Sequence, residues 1–350
     1  MTDTLASRLN IAVVRFSALG DVVMVAAAVD RLRQCLPHAS ITWITSPMAY
    51  SLLEGMEGVH FEVYDKPRSW ADYRAFYRAF RHRRFDVVLA MQANLRINLL
   101  YPALKAERKI GFDRIRAREG QWLFCNRRIP FADEHLLDSF MAFTGQLGCG
   151  RRAPDWALPI SEADRHWAQA RLQTLPRPLI AIHPHASKAE RNWPPERYAA
   201  IIARLRQERQ AGIVLTGGPA EAERELCARL AAADPAAILD LCGQTTPKQL
   251  AAVLGQADAL IAPDTGAVHL ARAMGTPVIG LYAVAPSKLT GPHGRMEYCV
   301  DRYPQALKKY LGKDAAQIPW NTRVHHPDAM ALIEVEDVLL QLERLMEQLV

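Results

Sequence analysis

The segment that most constrains the fold of this chain spans residues 259–281. An apolar run of strand length, residues 259–262, leads into the turn Asp264-Thr265-Gly266, and an Ala- and Leu-rich helical segment follows and closes at Gly275. A second apolar run occupies residues 277–281. Strand-length apolar runs on either side of a helical segment predict a βαβ unit, with its turn at the carboxyl end of the first strand.

The turn at residues 264–266 has the features of an anion site. Asp264 or Thr265 can cap the helix, and Gly266 lets another group approach the backbone closely. His269 lies about one helical turn further on and can face the same site. Free N–H groups at a helix start, with the positive end of the helix dipole, suit a phosphate. The turn therefore predicts phosphate binding, and an ordinary capped helix is the alternative for the tripeptide alone.

Asp-Thr-Gly is also the active-site tripeptide of aspartic proteases, which need two such carboxylates that share a proton. This chain holds one copy, and a helical segment rather than a β-hairpin follows it. A homodimeric protease with one copy per chain would be far shorter. The motif without its structural context does not support a protease.

The composition is that of a soluble globular protein of about two domains, with 350 residues of which 50% are hydrophobic and 23% charged. No apolar run is long enough for a transmembrane helix and no signal peptide precedes Ile11, so we expect a cytoplasmic location. The six cysteines lack paired metal-type spacing. We therefore expect reduced thiols, with neither a zinc site nor another metal site.

A net charge of +6 and a pI near 9.0 indicate an anionic partner. The basic residues concentrate in the first half of the chain, notably at 78–84, 105–109, 114–118 and 127–128. Nucleic acid is disfavoured, because no recognition motif or aromatic-basic interleaving is present. An anionic membrane surface fits this charge, as does a phosphorylated or carboxylated substrate.

Both halves of the chain restart with a βαβ pattern. Strands are predicted near residues 11–16, 41–44, 59–63, 85–90, 179–183, 213–216, 238–241 and 259–262, with helices between most of them. This order predicts an α/β protein with two doubly wound sheets that face a cleft. The expected domains are 1–175, 176–330 and a C-terminal helix at 331–350 that packs back toward the first domain.

The first turn, residues 17–21, is Ser-Ala-Leu-Gly-Asp. It lacks the Gly-x-Gly-x-x-Gly fingerprint, and no acidic residue ends the second strand, so a nicotinamide dehydrogenase is disfavoured. Asp21 has two interpretations that the residues leave open. It is either the N-cap of the next helix or a general base that acts on a hydroxyl at the cleft floor.

Two turns of the second half carry groups suited to a nucleotide. Ser187, Lys188 and Arg191 follow a strand end and have the composition of a phosphate cradle, or of a charged surface loop. The turn at residues 217–219 follows another strand, and a nearby glutamate could accept hydrogen bonds from ribose hydroxyls. Taken alone, this second segment is more often only a turn.

In combination, these motifs resemble the ADP-heptose:lipopolysaccharide heptosyltransferases of glycosyltransferase family 9, which have the GT-B fold. The resemblance rests on the order of residues 15–21, 187–194, 217–218 and 264–271, with a further match from Leu281 to Pro292. It covers residues 10–295. Residues 296–330 match nothing in the family pattern.

The resemblance implies a role for each matched position. Asp21 corresponds to the base that deprotonates the acceptor sugar hydroxyl. The implied donor-binding residues are Ser187, Lys188, Arg191, Gly217, Glu221, Glu223, Asp264, Thr265, Gly266 and His269. Either Glu221 or Glu223 is the ribose contact. The implied acceptor-side residues are Ser17, Gly20, Lys66, Arg68, Gln92, Arg96, Arg118 and Glu119.

The implied reaction is an inverting, metal-independent transfer without a cofactor, in which ADP-heptose donates to a Kdo-lipid A acceptor at the inner face of the inner membrane. Overall likeness favours the first heptose transfer. The open alternatives are the second heptose transfer, another nucleotide-activated sugar, a GT-B-fold nucleotide-sugar epimerase and a non-catalytic nucleotide-binding module. Basic charge confined to the first half and Asp21 on the facing turn favour the transferase.

Overall fold

The structure is a computed structural model that describes residues 9–150, 152–319 and 321–349. The chain divides into two compact units, Met1–Pro159 and Ile160–Val350. No helix among the described residues is long and apolar enough to cross a membrane.

The first unit is a parallel six-stranded sheet in the order β3-β2-β1-β4-β5-β6. The strands are β1 (Asn10–Val14), β2 (Ser40–Thr45), β3 (Val59–Val63), β4 (Arg84–Leu89), β5 (Lys105–Gly111) and β6 (Arg127–Arg128). The helices are α1 (Leu19–Cys35), α2 (Pro47–Leu53), α3 (Trp70–Phe80), α4 (Leu95–Asn98) and α5 (Leu136–Gly145), with 3₁₀ turns at Tyr101–Ala103 and Gln121–Leu123. Since β1 lies between β2 and β4, the strand order reverses there, and ligands bind doubly wound sheets at such a point.

Both faces of the first sheet are covered, because β1 is apolar on both sides. Ile11 and Val13 pack into one core cluster with α1 and α5, whereas Ala12 and Val14 pack into another with Phe76 and Phe80 of α3. Strand side chains alternate between the two faces, so a continuous apolar run fits a sheet sandwiched by helices.

The second unit repeats the topology, with the order β12-β11-β10-β7-β8-β9. Its strands are β7 (Leu179–Ile182), β8 (Gly212–Leu215), β9 (Ile238–Asp240), β10 (Ala259–Pro263), β11 (Val278–Tyr282) and β12 (Val300–Asp301). Its helices are α6 (Glu162–Leu172), α7 (Pro195–Arg209), α8 (Glu221–Ala231), α9 (Pro247–Leu254), α10 (Gly266–Ala273), α11 (Ser287–Thr290), α12 (Tyr303–Ala306) and α13 (Val335–Leu349). A π-helical turn covers Leu307–Leu311, and 3₁₀ turns cover Ala189–Arg191, Ala315–Gln317 and Met330–Leu332. Here the strand order reverses between β7 and β10.

The division between the units falls earlier than the predicted boundary after residue 175. Helix α6 packs against α9, and Gln256 Nε2 donates to the Arg165 carbonyl at 2.9 Å, so α6 belongs to the second unit. Within the second unit, the C-terminal helix α13 packs against α7, β11 and β12, with Leu342 and Leu345 buried in the second core.

One expectation about the cysteines is wrong. Cys35 at the end of α1 and Cys149 after α5 form a disulfide, with their Cα atoms 5.8 Å apart. The packing of α1 on α5 brings the C-terminal end of each helix close to that of the other, so Cys35 meets Cys149 across 114 positions of sequence, which no spacing rule reveals. Cys125, Cys227, Cys242 and Cys299 are free thiols.

Candidate active site

The turn after β1 places Asp21 in the first turn of α1 rather than before it. Ala18 is the N-cap, and because its side chain has no acceptor, the carboxylate of Asp21 reaches back to accept from the Ala18 N–H at 3.2 Å. The N-cap interpretation of Asp21 is therefore wrong in detail, although the carboxylate does help to satisfy the helix start.

Arg15 holds the carboxylate of Asp21 from the end of β1. Its guanidinium forms an ion pair with Asp21 and donates to the Met91 carbonyl at 2.6 Å. The same group lies 5.2 Å from the centre of the Phe140 ring. The Arg15 side chain is 10% exposed, whereas that of Asp21 is 25% exposed. The carboxylate is thus fixed on one side and open to solvent on the other.

A cavity of about 580 Å³ opens beside this turn within the first unit. Four predicted acceptor residues line it: Ser17, Lys66, Arg68 and Arg96. Burial lowers the pKa of Lys66, and the positive charges of Arg96 and Arg15 lower it further. Asp65 also lines the cavity, so its four charged side chains carry a net positive charge, which an anionic ligand would offset.

The other predicted acceptor residues are not among those that line the cavity. Gln92 is buried and accepts from the Phe16 N–H at 2.7 Å, so it shapes the turn that precedes Asp21. Glu119 accepts from the Leu95 N–H at 2.5 Å and so caps α4, the helix that carries Arg96. Arg118 is exposed, and its backbone carbonyl accepts a hydrogen bond from Asn98 Nδ2. Gly20 is buried in α1.

The start of α2 lines the same cavity and was missed by the sequence analysis. Ser46 caps α2 by accepting from the Ala49 N–H, its hydroxyl donates to the Phe16 carbonyl at 2.7 Å, and Met48 contributes an exposed thioether. Ser-Pro directly after a strand is a capping residue followed by a favoured first helical residue. That signal could have placed a helix start at this edge.

In the second unit, α10 begins at Gly266 with Thr265 as its N-cap, directly after β10. The Thr265 side chain makes no capping hydrogen bond. His269 is buried one turn into the helix. The predicted anion site thus has the expected local geometry of a strand end that leads into a helix N-terminus.

Two guanidinium groups flank Asp264 at this strand end. Arg191 Nη1 lies 3.2 Å from Asp264 Oδ2, and Arg323 Nη1 lies 3.8 Å from the same oxygen. Arg191 comes from the predicted cradle after β7. Arg323 lies in the stretch for which the sequence suggested no role, so sequence reasoning missed it.

The rest of the cradle after β7 is more open. Ser187 and Lys188 are exposed, and the loop is held by Asn192 Oδ1, which accepts from the Ala186 N–H at 2.8 Å. Below it, the His183 ring is buried and its Nδ1 lies 3.0 Å from Thr216 Oγ1. Burial and the neighbouring His185 lower the pKa of His183 to about 4.

The turn after β8 is built around Glu223, whose carboxylate accepts from the Gly218 N–H at 2.5 Å. Glu221 is exposed at the start of α8. Gly217 is required by packing, because a Cβ there would lie 2.6 Å from Cys242 Sγ.

Two thiols and a carboxylate come together beneath this turn. The Sγ atoms of Cys227 and Cys242 and a carboxylate oxygen of Asp240 lie within 4.8 Å of one another. The spacing of the cysteines in the sequence did not predict this grouping.

Two doubly wound units, each a parallel six-stranded sheet with helices, are the two domains of the GT-B fold. The chain belongs to glycosyltransferase family 9 (heptosyltransferase), whose model matches residues 73–318. This confirms the resemblance, the fold class and the enzyme class that the motifs predicted.

Relatives and solved structures agree with this assignment. The chain is 34% identical to the lipopolysaccharide core heptosyltransferase OpsX of Haemophilus influenzae, over 96% of each chain. It is 26% identical to lipopolysaccharide heptosyltransferase 1 of Escherichia coli K12, over 82% of this chain and 92% of that one. The E. coli heptosyltransferase WaaC with ADP is similar in fold, with a TM-score of 0.73 at 21% identity over 96% of this chain and 100% of that one.

Proposed function

We propose that this protein transfers heptose from ADP-L-glycero-D-manno-heptose to the Kdo region of a Kdo-lipid A acceptor, with inversion at the anomeric carbon. The relative OpsX, which matches over almost the full length of both chains, is described as a lipopolysaccharide core heptosyltransferase. The observation that carries the proposal is the basic cavity beside Asp21. Three cations around a sugar-sized space suit the carboxylates of Kdo and the phosphates of lipid A.

On the acceptor side, Asp21 takes the proton from the attacking hydroxyl. A general base must be held in reach of the proton it removes, and Arg15 keeps this carboxylate in one position. The acceptor oxygen forms its bond to the anomeric carbon as the bond to the ADP oxygen breaks. A single displacement of this kind inverts the anomeric centre.

On the donor side, negative charge grows on the leaving ADP. In the proposed mechanism, Arg191 and the N–H groups at the start of α10 stabilise that charge, and His269 lies one turn further along the helix. Glu221 and Glu223 remain the candidates for the ribose contact. Since Glu223 already accepts from Gly218, the exposed Glu221 is the carboxylate more available to a ribose hydroxyl. In this scheme the chain supplies the charge stabilisation itself, which keeps the reaction metal-independent.

A membrane partner is part of the proposal. Four large exposed apolar side chains fall within residues 115–131: Ile115, Trp122, Leu123 and Phe131. Exposed arginines at 114, 118, 127 and 128 accompany them. Apolar side chains among cations match the interface of an anionic bilayer, where a lipid A acceptor is anchored. This surface, defined here as the 115–131 surface, would bring the first unit to the inner face of the inner membrane.

The test is heptose transfer from ADP-heptose to Kdo-lipid A by the wild type and by Asp21→Asn, with ADP binding measured in parallel. We expect transfer to fall by roughly 10²- to 10⁴-fold while ADP binding stays unchanged. Asp72 occupies the same position in the first turn of α3 as Asp21 does in α1, and its carboxylate also accepts from the backbone of the N-cap residue. Asp72→Asn is therefore a matched control, and we expect it to keep the transfer activity.

Other outcomes separate the alternatives. Transfer to an acceptor that already carries the first heptose, but not to Kdo-lipid A, would identify the second heptose step. ADP binding with no transfer to either acceptor would point to another activated sugar or a non-catalytic module. Interconversion of a nucleotide sugar without any acceptor would identify an epimerase.

A further inference from the structure

Residues 322–326, here called the strap, lie at the carboxyl edge of the second sheet. The Val324 N–H donates to the Val284 carbonyl at 3.0 Å, just beyond the end of β11, and the Val324 side chain is fully buried in the second core. Tyr303 Oη donates to the Thr322 carbonyl at 2.8 Å. These contacts hold the strap on both sides of Arg323.

The strap is also tied to the cradle after β7. His325 Nδ1 lies 3.0 Å from both carboxylate oxygens of Glu190, which is the residue before Arg191. On the other side, the His326 ring stacks on Tyr310 with ring centres 3.8 Å apart. The strap therefore links the two loops that follow β7 and β11 across the end of β10.

This geometry places Arg323 opposite Arg191, with Asp264 between them. Two guanidinium groups therefore meet at one carboxylate beside the N-terminus of α10. A guanidinium carries five N–H donors, so one that faces a carboxylate can also bind a phosphate oxygen. The arrangement suits a group with two or more negative charges.

We infer that Arg323 binds the diphosphate of the nucleotide donor together with Arg191, so that the strap is part of the donor site. This inference rests on the proposed donor site and extends it to a segment outside the motifs that predicted it. The chemistry recognised is a diphosphate, whether it is attached to a sugar or leaves as the nucleoside diphosphate.

The experiment measures binding of ADP and of inorganic pyrophosphate to the full chain by calorimetry, for the wild type, Arg323→Gln and Arg323→Lys. We expect Arg323→Gln to weaken both ligands by roughly 10- to 100-fold, as for the loss of one charge-assisted hydrogen bond. Arg323→Lys should recover much of that loss, because it keeps the charge. In transfer assays, the KM for the donor should rise while the KM for the acceptor stays the same.

Arg206→Gln is the matched control. Arg206 pairs with Asp234 at 2.8 Å in the same unit and has a similarly covered side chain, but it lies on the last turn of α7, at the opposite edge of the sheet. Its loss should leave ADP and pyrophosphate binding unchanged.

The inference is overturned if Arg323→Gln, folded as judged by its thermal transition, binds both ligands as the wild type does. Arg323 would then only support Asp264. Wild-type protein that binds pyrophosphate and ADP but transfers no heptose would overturn the proposed function and leave the inference standing. Wild-type protein that binds neither ligand would overturn the donor site as a whole.

Discussion

Arg15 and Asp21 form an ion pair across the first turn of the chain, and the same guanidinium donates to the Met91 carbonyl after β4. One side chain thus connects the ends of β1 and β4, the two strands between which the sheet order reverses. The carboxylate that acts as the base in the proposed mechanism is therefore held at the point where the strand order of the first sheet reverses.

This relationship predicts that Arg15 acts through Asp21. Arg15→Lys keeps a positive charge but loses the planar fork that bonds Asp21 and the Met91 carbonyl together. We expect kcat to fall by about 10-fold with unchanged donor KM, because the base is less well oriented. In the double variant with Asp21→Asn, the two losses should not add, since no carboxylate remains to be positioned. Additive losses in the steady-state kinetics would mean that Arg15 has a separate role.

The lowered pKa of Lys66 predicts a pH dependence on the acceptor side. Burial and the charges of Arg96 and Arg15 cause Lys66 to lose its proton at a lower pH than an ordinary lysine. The cavity therefore loses one positive charge as the pH rises, and the KM for an anionic acceptor should increase on the alkaline side. Lys66→Arg should flatten this increase, because a guanidinium stays protonated. An identical alkaline profile in the two proteins would remove Lys66 from the acceptor site.

The 115–131 surface predicts binding to anionic vesicles. Leu123 is 74% exposed, so Leu123→Glu should cost little folding stability, yet it places a negative charge where the bilayer is expected. We expect several-fold weaker binding to phosphatidylglycerol-containing vesicles in a co-sedimentation assay, with no change in ADP affinity. Leu340→Glu alters a comparably exposed leucine on α13 of the second unit and should bind as the wild type does. An equal loss of vesicle binding in the two variants would contradict a specific role of the 115–131 surface.

His183 predicts a loss of folding stability in mild acid. Its pKa is about 4 in the folded protein, mainly because of burial, against about 6.5 in the unfolded chain. Between these values the unfolded chain takes up a proton that the folded protein does not, so stability falls as the pH drops from about 6.5 to 4. The shift corresponds to roughly 3 kcal/mol. Urea unfolding at pH 7.5 and pH 5 should detect roughly 2 kcal/mol of this loss, because the loss is complete only near pH 4.

The control for His183 is an exposed histidine in the same unit. His183→Asn should reduce the difference between the two urea midpoints, whereas His166→Asn on α6 should leave it as in the wild type. If His183→Asn preserves the full difference, other groups account for the acid sensitivity.

Much of the fold was predictable because its signals are local. The apolar runs at residues 11–16 and 259–262 contain the buried strands β1 and β10, and a helix follows each of them as predicted. Helix α10 begins after Thr265, one of the two predicted capping residues, whereas α1 begins after Ala18 and not at Asp21. Missed elements have weaker signals. Helix α2 is only seven residues long and follows β2 directly. The described residues of the segment 296–330 form short helical turns and the two-residue strand β12.

The amino-acid sequence alone determined the two doubly wound units, the turn that carries Asp21 and the helix start at Asp264, because strand length, helix capping and turn chemistry depend on neighbouring residues. Tertiary structure decided which distant groups meet those turns. Arg15 reaches the Met91 carbonyl, Arg323 faces Asp264, and Cys35 pairs with Cys149. These contacts depend on strand order and helix packing, which bring together residues separated by 59 to 114 positions and leave no periodic signal in the chain.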